Sequence, residues 1–332
     1  LLFGRGGGAS PYRYRGSSFF DWVRTRDQFS RALSVSRKDR GAILPLGRAK
    51  QQVYWYSLDG RFTTSRYYAD TLPAWVQQFN ARNFLKPYIG AQWNPLLAAS
   101  QYPEKDSVAV ENQGKDFVFP HTLDTDLRAA GTNLTEFPWM DDVTVEMALA
   151  GVNALDLGKG PTTDVLAVSL STTDAVGHRY GPDSRELHDQ VLRVDRTIGV
   201  FLDSLYKLRD STKITIVVTA DHGVGSIPEI APASIQPRPL RVSLYDLMPA
   251  TVARLQAKKL DTFAIDLDVQ ILLANRGAFR KQSDLDEIVN AFADDARKVP
   301  GVARVDRFPA LLADTLTDEI ARRWAHQFPA SV

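Results

Sequence analysis

Two short, nearly continuous apolar stretches stand out along the chain. They are 164–170 (DVLAVSL) and 214–219 (ITIVVT), and neither alternates strictly between polar and apolar positions. A run of this length and kind is typical of a strand buried on both faces of a parallel sheet, because helices cover such a sheet on either side. The pattern therefore predicts two buried strands.

An amphipathic helix is predicted between these two strands. Ser184 is a suitable N-cap, and from there to Leu208 apolar residues recur at helical spacing. This stripe contains Leu187, Val191, Val194, Ile198, Phe201, Leu202, Leu205 and Leu208. Strand, helix and strand in this order form a unit with a right-handed crossover. We therefore predict an α/β fold with a mostly parallel sheet flanked by helices.

More sheet is expected near the start of the chain. Residues 31–46 show a short strand pattern at Leu33 and Val35, then a charged loop, then a second apolar run from Ala42. Such apolar runs separated by a polar loop are typical of neighbouring strands. We therefore expect two strands in this region.

The middle of the chain combines two predicted helices with a stretch of little periodicity. Residues 72–79 and 141–155 have helical patterns, and Asp141 in the second suits the positive end of a helix dipole. Between them, 86–138 contains Pro, Gly and Trp without regular spacing. This composition is expected of a cap region or a long functional loop.

The pattern changes beyond Gly225. Four prolines occur from Pro228 to Pro239, a helix is predicted over 285–296, and 301–308 (GVARVDRF) has a strand pattern. A helix and strand of this size are usual in small α+β inserts. We expect a core domain over 1–225 and a smaller α+β subdomain over 226–332.

Composition limits the function classes. The 332 residues are 44% apolar, which can supply a core, and the net charge of +1 provides no global field that would recruit nucleic acid. No apolar run of about 18 residues could span a bilayer. The chain has no Cys, which excludes disulfides, thiolate metal sites and Cys nucleophiles.

Carboxylate and imidazole pairs follow both predicted strands. Asp174 and His178 come after the first strand, and Asp221 and His222 come directly after the second. Ligands of an open parallel sheet bind outside the carboxyl ends of its strands. Carboxylate oxygens and neutral imidazole nitrogens are ligands that zinc accepts. Either pair alone is typical of a polar surface or a turn, but together the two pairs predict a site for two metal ions.

These motifs carry a family resemblance. The stretches STTDAVGHRYGPDSRELHDQVLRVDR and VVTADHGV resemble the type I phosphodiesterase and nucleotide pyrophosphatase group of the alkaline phosphatase superfamily. The upstream stretches SPYRYRGSSFFDWV, LSVSRKDRGAILPLG and VYWYSLDGRFTTSRYY most resemble bacterial single-chain alkaline phosphatases with a Thr nucleophile. The resemblance implies an alkaline-phosphatase-like α/β fold, two zinc ions and a small phosphate-ester substrate.

The resemblance also implies roles for the metal residues. Asp174 and His178 would bind one zinc, and Asp221 and His222 would bind the other. The family's third ligand of each zinc, a His near the C-terminal end and an Asp near the N-terminal start, has no matching position here. His326 lies in a different context and is interpreted as a surface helix residue. The remaining two histidines, His121 and His188, are interpreted as structural.

Lys38 and Arg40 are the predicted contacts to the phosphoryl group. In an extended segment, residues two apart project from the same side, so the two cations could hold the oxygens of one phosphoryl group. A solvated basic loop is the alternative. In the monoesterases that this segment resembles, a Lys and an Arg at these places bind the transferred group, which favours hydrolysis of phosphate monoesters through a phosphoenzyme.

The expected Thr nucleophile has no counterpart in this sequence. In the family it lies upstream of the stretch that SPYRYRG matches, so we interpret the chain as an internal piece of a longer polypeptide that would be inactive alone. Members of the family usually work in the periplasm or outside the cell, and the same location is expected here. The oligomeric state is left open.

Three alternatives remain at this point. A sulfatase would need Cys or Ser in a C/S-x-P-x-R pattern, and the nearest match begins with Ala9, which disfavours it. A phosphodiesterase or nucleotide pyrophosphatase would share the metal ligands, because specificity depends on the pocket around the phosphoryl oxygens. A non-catalytic protein on the same fold would bind zinc and phosphate without hydrolysis.

Overall fold

The computed structural model describes residues 8–311, 313 and 317–325. Two compact units divide the chain, Leu1–Ile227 and Pro228–Val332. In the described part of the chain, no helix is long and apolar enough to cross a bilayer.

A four-stranded sheet is the centre of the first unit. Its strands are β1 (Ala32–Ser36), β2 (Gln52–Ser57), β3 (Arg61–Thr63) and, after one separate pair of short strands in the chain, β6 (Val165–Ser169). The order is β3-β2-β1-β6, with β1 parallel to both β2 and β6 and only β3 antiparallel. The predicted mostly parallel α/β sheet is confirmed.

Seven α-helices belong to the described part of this unit. They are α1 (Phe19–Arg26), α2 (Asp39–Ile43), α3 (Ala74–Ala81), α4 (Leu127–Asn133), α5 (Trp139–Ala154), α6 (Thr172–Tyr180) and α7 (Arg185–Leu208). The helices predicted over 72–79, 141–155 and 184–208 are confirmed as α3, α5 and α7. The Ser184 hydroxyl caps α7 by accepting the Leu187 N–H at 3.1 Å.

The stretch 86–138 has little regular structure. It contains short 3-10 turns, α4, and one two-residue pairing between β4 (Gln92–Trp93) and β5 (His121–Thr122). Its aromatic residues still pack, since Trp93 is almost fully buried against Phe119. The stretch therefore has little regular secondary structure, as expected, but its aromatic side chains form a packed interior.

Two strand predictions in the first unit are wrong. The apolar run from Ala42 is not a strand, because α2 begins at Asp39 within the charged segment and continues to Ile43. The run 214–219 was expected to be a buried strand, but it pairs with no strand in the described residues, and Val217 and Val218 are 82% and 81% exposed. A strand needs a neighbouring edge, and sequence pattern alone does not show whether one is within reach.

Close packing of α5 on the sheet depends on Gly151. A Cβ at this position would lie 2.5 Å from Leu33 Cδ2 and 3.0 Å from Trp75 Cη2. We expect Gly151→Ala to lower the free energy of unfolding by about 1–3 kcal/mol, because overpacking outweighs the better helix propensity of Ala. Urea denaturation measures this, with Gly199→Ala on α7 as the matched control.

The control distinguishes packing from propensity. No atom lies within 4 Å of the Cβ that Gly199 would gain, so Gly199→Ala should stabilise the protein by roughly 0.5–1 kcal/mol. Equal effects of the two substitutions would contradict the packing explanation.

The buried carboxyl group of Glu111, which is close to Glu186 at the start of α7, makes stability depend on pH. Glu111 is 1% exposed, and burial, Glu186 and Asp106 together raise its pKa to about 8. A raised pKa means that the folded protein holds this proton more tightly than the unfolded chain. The free energy of unfolding should therefore fall as pH rises from about 4.5 to about 8.

Glu111→Gln should remove this contribution. The melting temperature of the variant should change less than that of the parent protein between pH 5 and pH 8, with an expected difference on the order of a few kcal/mol in the free energy of unfolding. Parallel pH profiles of the two proteins would contradict the prediction. Thermal denaturation followed by circular dichroism measures both profiles.

The second unit contains a hairpin among helices. Its helices in the described residues are α8 (Met248–Ala257), α9 (Gln282–Ala296), α10 (Phe308–Leu311) and α11 (Glu319–Ala325), and its strands are β7 (Ile265–Asp268) and β8 (Ile271–Ala274). The helix predicted over 285–296 is confirmed. The strand predicted over 301–308 is wrong, because 302–307 is irregular and Phe308 begins α10. The β7–β8 hairpin was missed.

Candidate functional site

The first predicted motif lies on a helix that follows β6. Asp174 and His178 are both in α6, where residues four apart share one face. The sequence analysis placed the two residues after the first strand but did not predict this helix. The helical spacing brings His178 Nε2 to 3.2 Å from Asp174 Oδ1. The motif is therefore one surface of a short helix at the carboxyl end of the sheet.

A buried carboxylate on α5 positions the start of α6. Asp141 is 1% exposed, and it accepts hydrogen bonds from the Thr172 hydroxyl at 2.7 Å and from Gln190 Nε2 at 2.9 Å. Burial raises the pKa of Asp141 to about 6, although these hydrogen bonds oppose the shift. The sequence indicated Asp141 only as a helix-dipole residue. Its role in fixing the helix that carries Asp174 depends on tertiary contacts.

Three nitrogen groups surround the Asp174 carboxylate. His178 Nε2 and His222 Nε2 lie 3.2 and 3.7 Å from Oδ1, and the Lys38 ammonium pairs with Oδ2. Burial raises the pKa of Asp174, but the hydrogen bond and charge of Lys38, together with the two imidazoles, outweigh it and lower the pKa below its ordinary value. The carboxylate is therefore ionised at neutral pH.

The His222 imidazole lies between the carboxylates of Asp174 and Asp221. Its Nε2 is 3.6 Å from Asp221 Oδ2, nearly the same as its distance to Asp174. His222 Nδ1 is 2.9 Å from the Gly223 carbonyl oxygen, which can only accept a hydrogen bond, so Nδ1 is the donor of this contact. Asp221 is the least enclosed of the four residues, with a side chain that is 87% exposed.

The donor types at this place fit zinc. One carboxylate and two imidazoles approach each other, and a positive charge, the Lys38 ammonium, already binds to Asp174. Among the residues that the structure describes, however, no three such side chains already surround one metal position. Both imidazoles approach the same oxygen, so side-chain rotation would have to precede metal binding.

The geometry expected for Lys38 and Arg40 is wrong. Lys38 is extended, but Arg40 lies in α2, so the two residues do not share the extended segment that would project both side chains from the same side. Lys38 contacts Asp174, whereas the Arg40 side chain makes no hydrogen bond or ion pair within the described residues. Arg40 instead lines an open cleft of about 510 Å³, together with Tyr12 and Tyr14.

The serine hydroxyls that pack against α2 were not predicted as part of the site. Ser36 Oγ accepts the Lys38 N–H at 3.0 Å, and the Ser169 and Ser171 hydroxyls lie 3.0 Å apart. A Cβ on Gly41 would lie 2.5 Å from Ser36 Oγ, so the glycine allows α2 to approach the strand ends. Ser36 and Ser169 are the last residues of the parallel strands β1 and β6, and this position at the strand ends is the sequence feature that could have identified them.

His121 and His188 lie outside this cluster. His121 is fully buried, with Nε2 3.0 Å from Glu186 Oε1, and His188 Nδ1 lies 3.0 Å from Glu104 Oε2. Both sets of contacts fit the structural roles expected for them. His326 lies outside the described residues, so its expected helix position is not tested.

Comparison with known proteins gives consistent results. A family model described as "Type I phosphodiesterase / nucleotide pyrophosphatase" matches residues 47–315. Alkaline phosphatase PhoV of Synechococcus elongatus is 36% identical over 66% of this chain and 41% of its own length. Alkaline phosphatase PafA of Elizabethkingia meningoseptica is 31% identical over 83% of this chain and 52% of its own length. A crystal structure of alkaline phosphatase PafA has a TM-score of 0.75 and 28% identity, and it covers 91% of this chain and 59% of the solved chain.

The fold and the site define an α/β protein with carboxylate and imidazole groups at the carboxyl end of a mostly parallel sheet. With the match over 47–315, this chain belongs to the type I phosphodiesterase and nucleotide pyrophosphatase family. Its fold matches that of alkaline phosphatase PafA. The chain spans about half the length of the curated relatives that it matches.

Proposed function

We propose that this chain carries part of the catalytic centre of a zinc-dependent phosphate monoester hydrolase. The observation that carries the proposal is the approach of His178, His222 and Lys38 to the Asp174 carboxylate. The proposal assigns Asp174, His178, Asp221 and His222 as zinc ligands. Two zinc ions, when bound, would supply Lewis-acid stabilisation of the attacking and departing oxygens.

Within this chain, the basic residues would orient the substrate. Lys38 lies beside Asp174 at the strand ends, and Arg40 lines the open cleft beyond it. A phosphate monoester carries up to two negative charges on its phosphoryl group, whereas a diester carries one. Two cations therefore favour the monoester, because the additional charge is attracted by both.

Some catalytic groups would come from other segments of the family fold. The hydroxyl that forms the phosphoenzyme and the third ligand of each zinc are assigned to parts that this chain does not span. Activity of the whole protein is therefore proposed, and the chain alone is expected to be inactive. A periplasmic or extracellular location is proposed from the resemblance to bacterial alkaline phosphatases.

Lys38→Met tests the roles of Lys38 and the metal together. Removing the ammonium frees Asp174 Oδ2, so zinc affinity should rise about 10-fold while phosphate affinity of the zinc-loaded chain falls about 10-fold. Isothermal titration calorimetry with zinc and then inorganic phosphate measures both. The control Lys207→Met removes an exposed lysine of α7 and should change neither affinity. A fall in zinc affinity in Lys38→Met would contradict the assignment.

A phosphodiesterase is the second candidate, because the family description includes that activity. In the whole protein that carries this chain, Lys38→Met and Arg40→Ala should reduce kcat/KM for 4-nitrophenyl phosphate more than for bis(4-nitrophenyl) phosphate. Equal losses would favour the diesterase. Tight zinc and phosphate binding without turnover of either ester would favour a non-catalytic binding protein.

A further inference from the structure

The segment 103–120 is anchored by one buried side chain, and that side chain is an acid. Between Tyr102 and His121, Glu111 is the only buried residue, with 1% of its surface exposed. All other residues of the segment are exposed or half-buried, including its valines. Surface segments are usually anchored by apolar side chains, because burial of a carboxylate without a partner is costly. The attachment of this segment therefore depends on the state of one carboxyl group.

A second buried carboxyl group, that of Glu186 in the first turn of α7, is close to Glu111. Glu186 is fully buried, and its Oε1 lies 3.0 Å from His121 Nε2. The Oε2 atoms of Glu111 and Glu186 are both buried, and neither has a hydrogen-bond partner among the described residues. Two ionised carboxylates can only accept hydrogen bonds, so they cannot satisfy each other.

A single proton satisfies both of these oxygen atoms. A protonated Glu111 becomes a donor that Glu186 Oε2 accepts, and one of the two adjacent negative charges disappears. A bridging water would supply two donors but would leave both charges buried together. A metal ion needs more ligands, and in the described part of the chain no group of three carboxylate or imidazole side chains could hold one.

The other charged groups around the pair do not neutralise Glu111. They are Asp106 and Asp116 of the segment itself, His121 of β5, Arg179 and Tyr180 of α6, and Arg185 of α7. Arg179 pairs with Glu136 at 2.7 Å, and Arg185 NH1 lies 3.7 Å from Asp106. Burial, Glu186 and Asp106 together raise the pKa of Glu111 to about 8. A proton is therefore the group that removes its charge.

The backbone that follows Glu111 is strained. Asn112, Gln113 and Asp116 have φ angles of 46°, 57° and 43°, in the left-handed region that residues with side chains rarely adopt. Such conformations persist only where surrounding contacts hold them. Release of Glu111 from its buried position would therefore let the segment relax away from the protein.

We propose that Glu111 and Glu186 share one proton, and that this proton latches the segment 103–120 onto α7. When the proton is lost, two carboxylates face each other and the segment opens. The segment also contacts α6, where Asp116 Oδ2 lies 3.7 Å from Arg179. Because α6 carries Asp174, the latch controls access to one end of the helix that bears the proposed zinc ligand.

The strength of the latch should depend on pH in a defined window. The pKa of Glu111 is about 8 in the closed segment and should return to about its ordinary 4.5 in the open one. The closed form then holds the proton more tightly than the open form. Opening should be least favourable below about pH 4.5, become up to about tenfold easier with each pH unit above it, and level off above about pH 8.

Hydrogen exchange at single-residue resolution tests the latch. The Glu111 and Lys115 amides donate to carbonyls within the segment, at 2.9 Å to Val108 and 3.1 Å to Asn112. After correction for the intrinsic rate, their exchange should quicken by about 100-fold from pH 5 to pH 8, while the amides of α5 stay about 10-fold or more better protected. Loss of protection in α5 in step with the segment would mean global unfolding and would overturn the latch.

Glu111→Gln separates the effect of the proton from that of the fold. The glutamine amide supplies a donor to Glu186 at every pH, so exchange in the segment should stay slow and change less than about threefold from pH 5 to pH 8. Glu287→Gln, at a glutamate of α9 whose side chain is 67% exposed, should keep the parental pH dependence. Parental behaviour of Glu111→Gln would contradict the proposal.

Carbon-13 NMR of the glutamate carboxyl groups tests the sharing of the proton. In the parent protein one carboxyl signal should titrate near pH 8, and it should be missing in Glu111→Gln. In Glu186→Gln the same signal should titrate at a lower pH, because the facing charge is gone and an amide donor replaces it. An ordinary titration of Glu111 in the parent, no change in Glu186→Gln, or opening that depends on added calcium would each overturn the shared proton. Failure of the proposed zinc chemistry would leave all of these results unchanged.

Discussion

Asp174→Ala is expected to weaken zinc binding by roughly 100-fold or more, since even loss of a supporting partner of a metal ligand costs 10- to 100-fold in affinity. Asp174 is the residue that both imidazoles and Lys38 approach, so its removal takes away the shared oxygen and leaves the Lys38 charge in place to repel the metal. Competition with a chromophoric zinc chelator measures the change.

The control for this prediction is Asp203→Ala. Asp203 is an exposed carboxylate of α7, and its loss should leave zinc affinity unchanged. Circular dichroism and the melting temperature show whether the Asp174 variant is folded. A folded Asp174→Ala protein with parental zinc affinity would place the metal elsewhere in the chain.

Asp189→Ala is expected to have the largest effect on stability, about 3–5 kcal/mol, as for other buried charges that lose their partner. The Asp189 carboxylate is fully buried and accepts hydrogen bonds from Trp93 Nε1 at 2.6 Å, Tyr102 OH at 2.6 Å, Leu96 N at 2.5 Å and Arg193 Nε at 2.5 Å. Its removal leaves several buried donors without an acceptor. Chemical denaturation measures the loss.

The same helix provides the control. Asp195 is exposed on α7, and Asp195→Ala should change the free energy of unfolding by no more than about 0.5 kcal/mol. Similar losses in both variants would mean that removal of negative charge from α7, and not the network around Asp189, determines stability. The network joins the irregular stretch 86–138 to α7, so its loss should also increase proteolysis of that stretch.

Periodicity predicted the local elements of the first unit well. The run 164–170 and the stripe from Leu187 to Leu208 correspond to β6 and α7, because strand and helix each leave a characteristic apolar pattern in the sequence. The predicted full burial of β6 is wrong, since each of its residues is only half-buried. The run 214–219 carries the same trace but has no partner strand in the described chain. Sequence reports what a segment can pair with, and structure reports whether the partner is present.

The sequence predicted which residues form the candidate site better than it predicted how their side chains are arranged. The motifs at Asp174 and Asp221 identified the place, but His222 lies as near to Asp174 as to Asp221, and Arg40 lies in a helix. The supporting contact of Asp141 with Thr172 spans 31 positions along the chain. Such long-range contacts depend on helix packing, and no local pattern in the sequence reports them.

Zinc content is the most direct test of the claim that the two motifs form one metal-binding region. The measurement is zinc per chain after dialysis against buffered zinc, for the parent protein and for a His178→Ala, His222→Ala double variant. The account predicts bound zinc in the parent chain and its loss in the double variant. Equal zinc content in both proteins, or none in either, would contradict it.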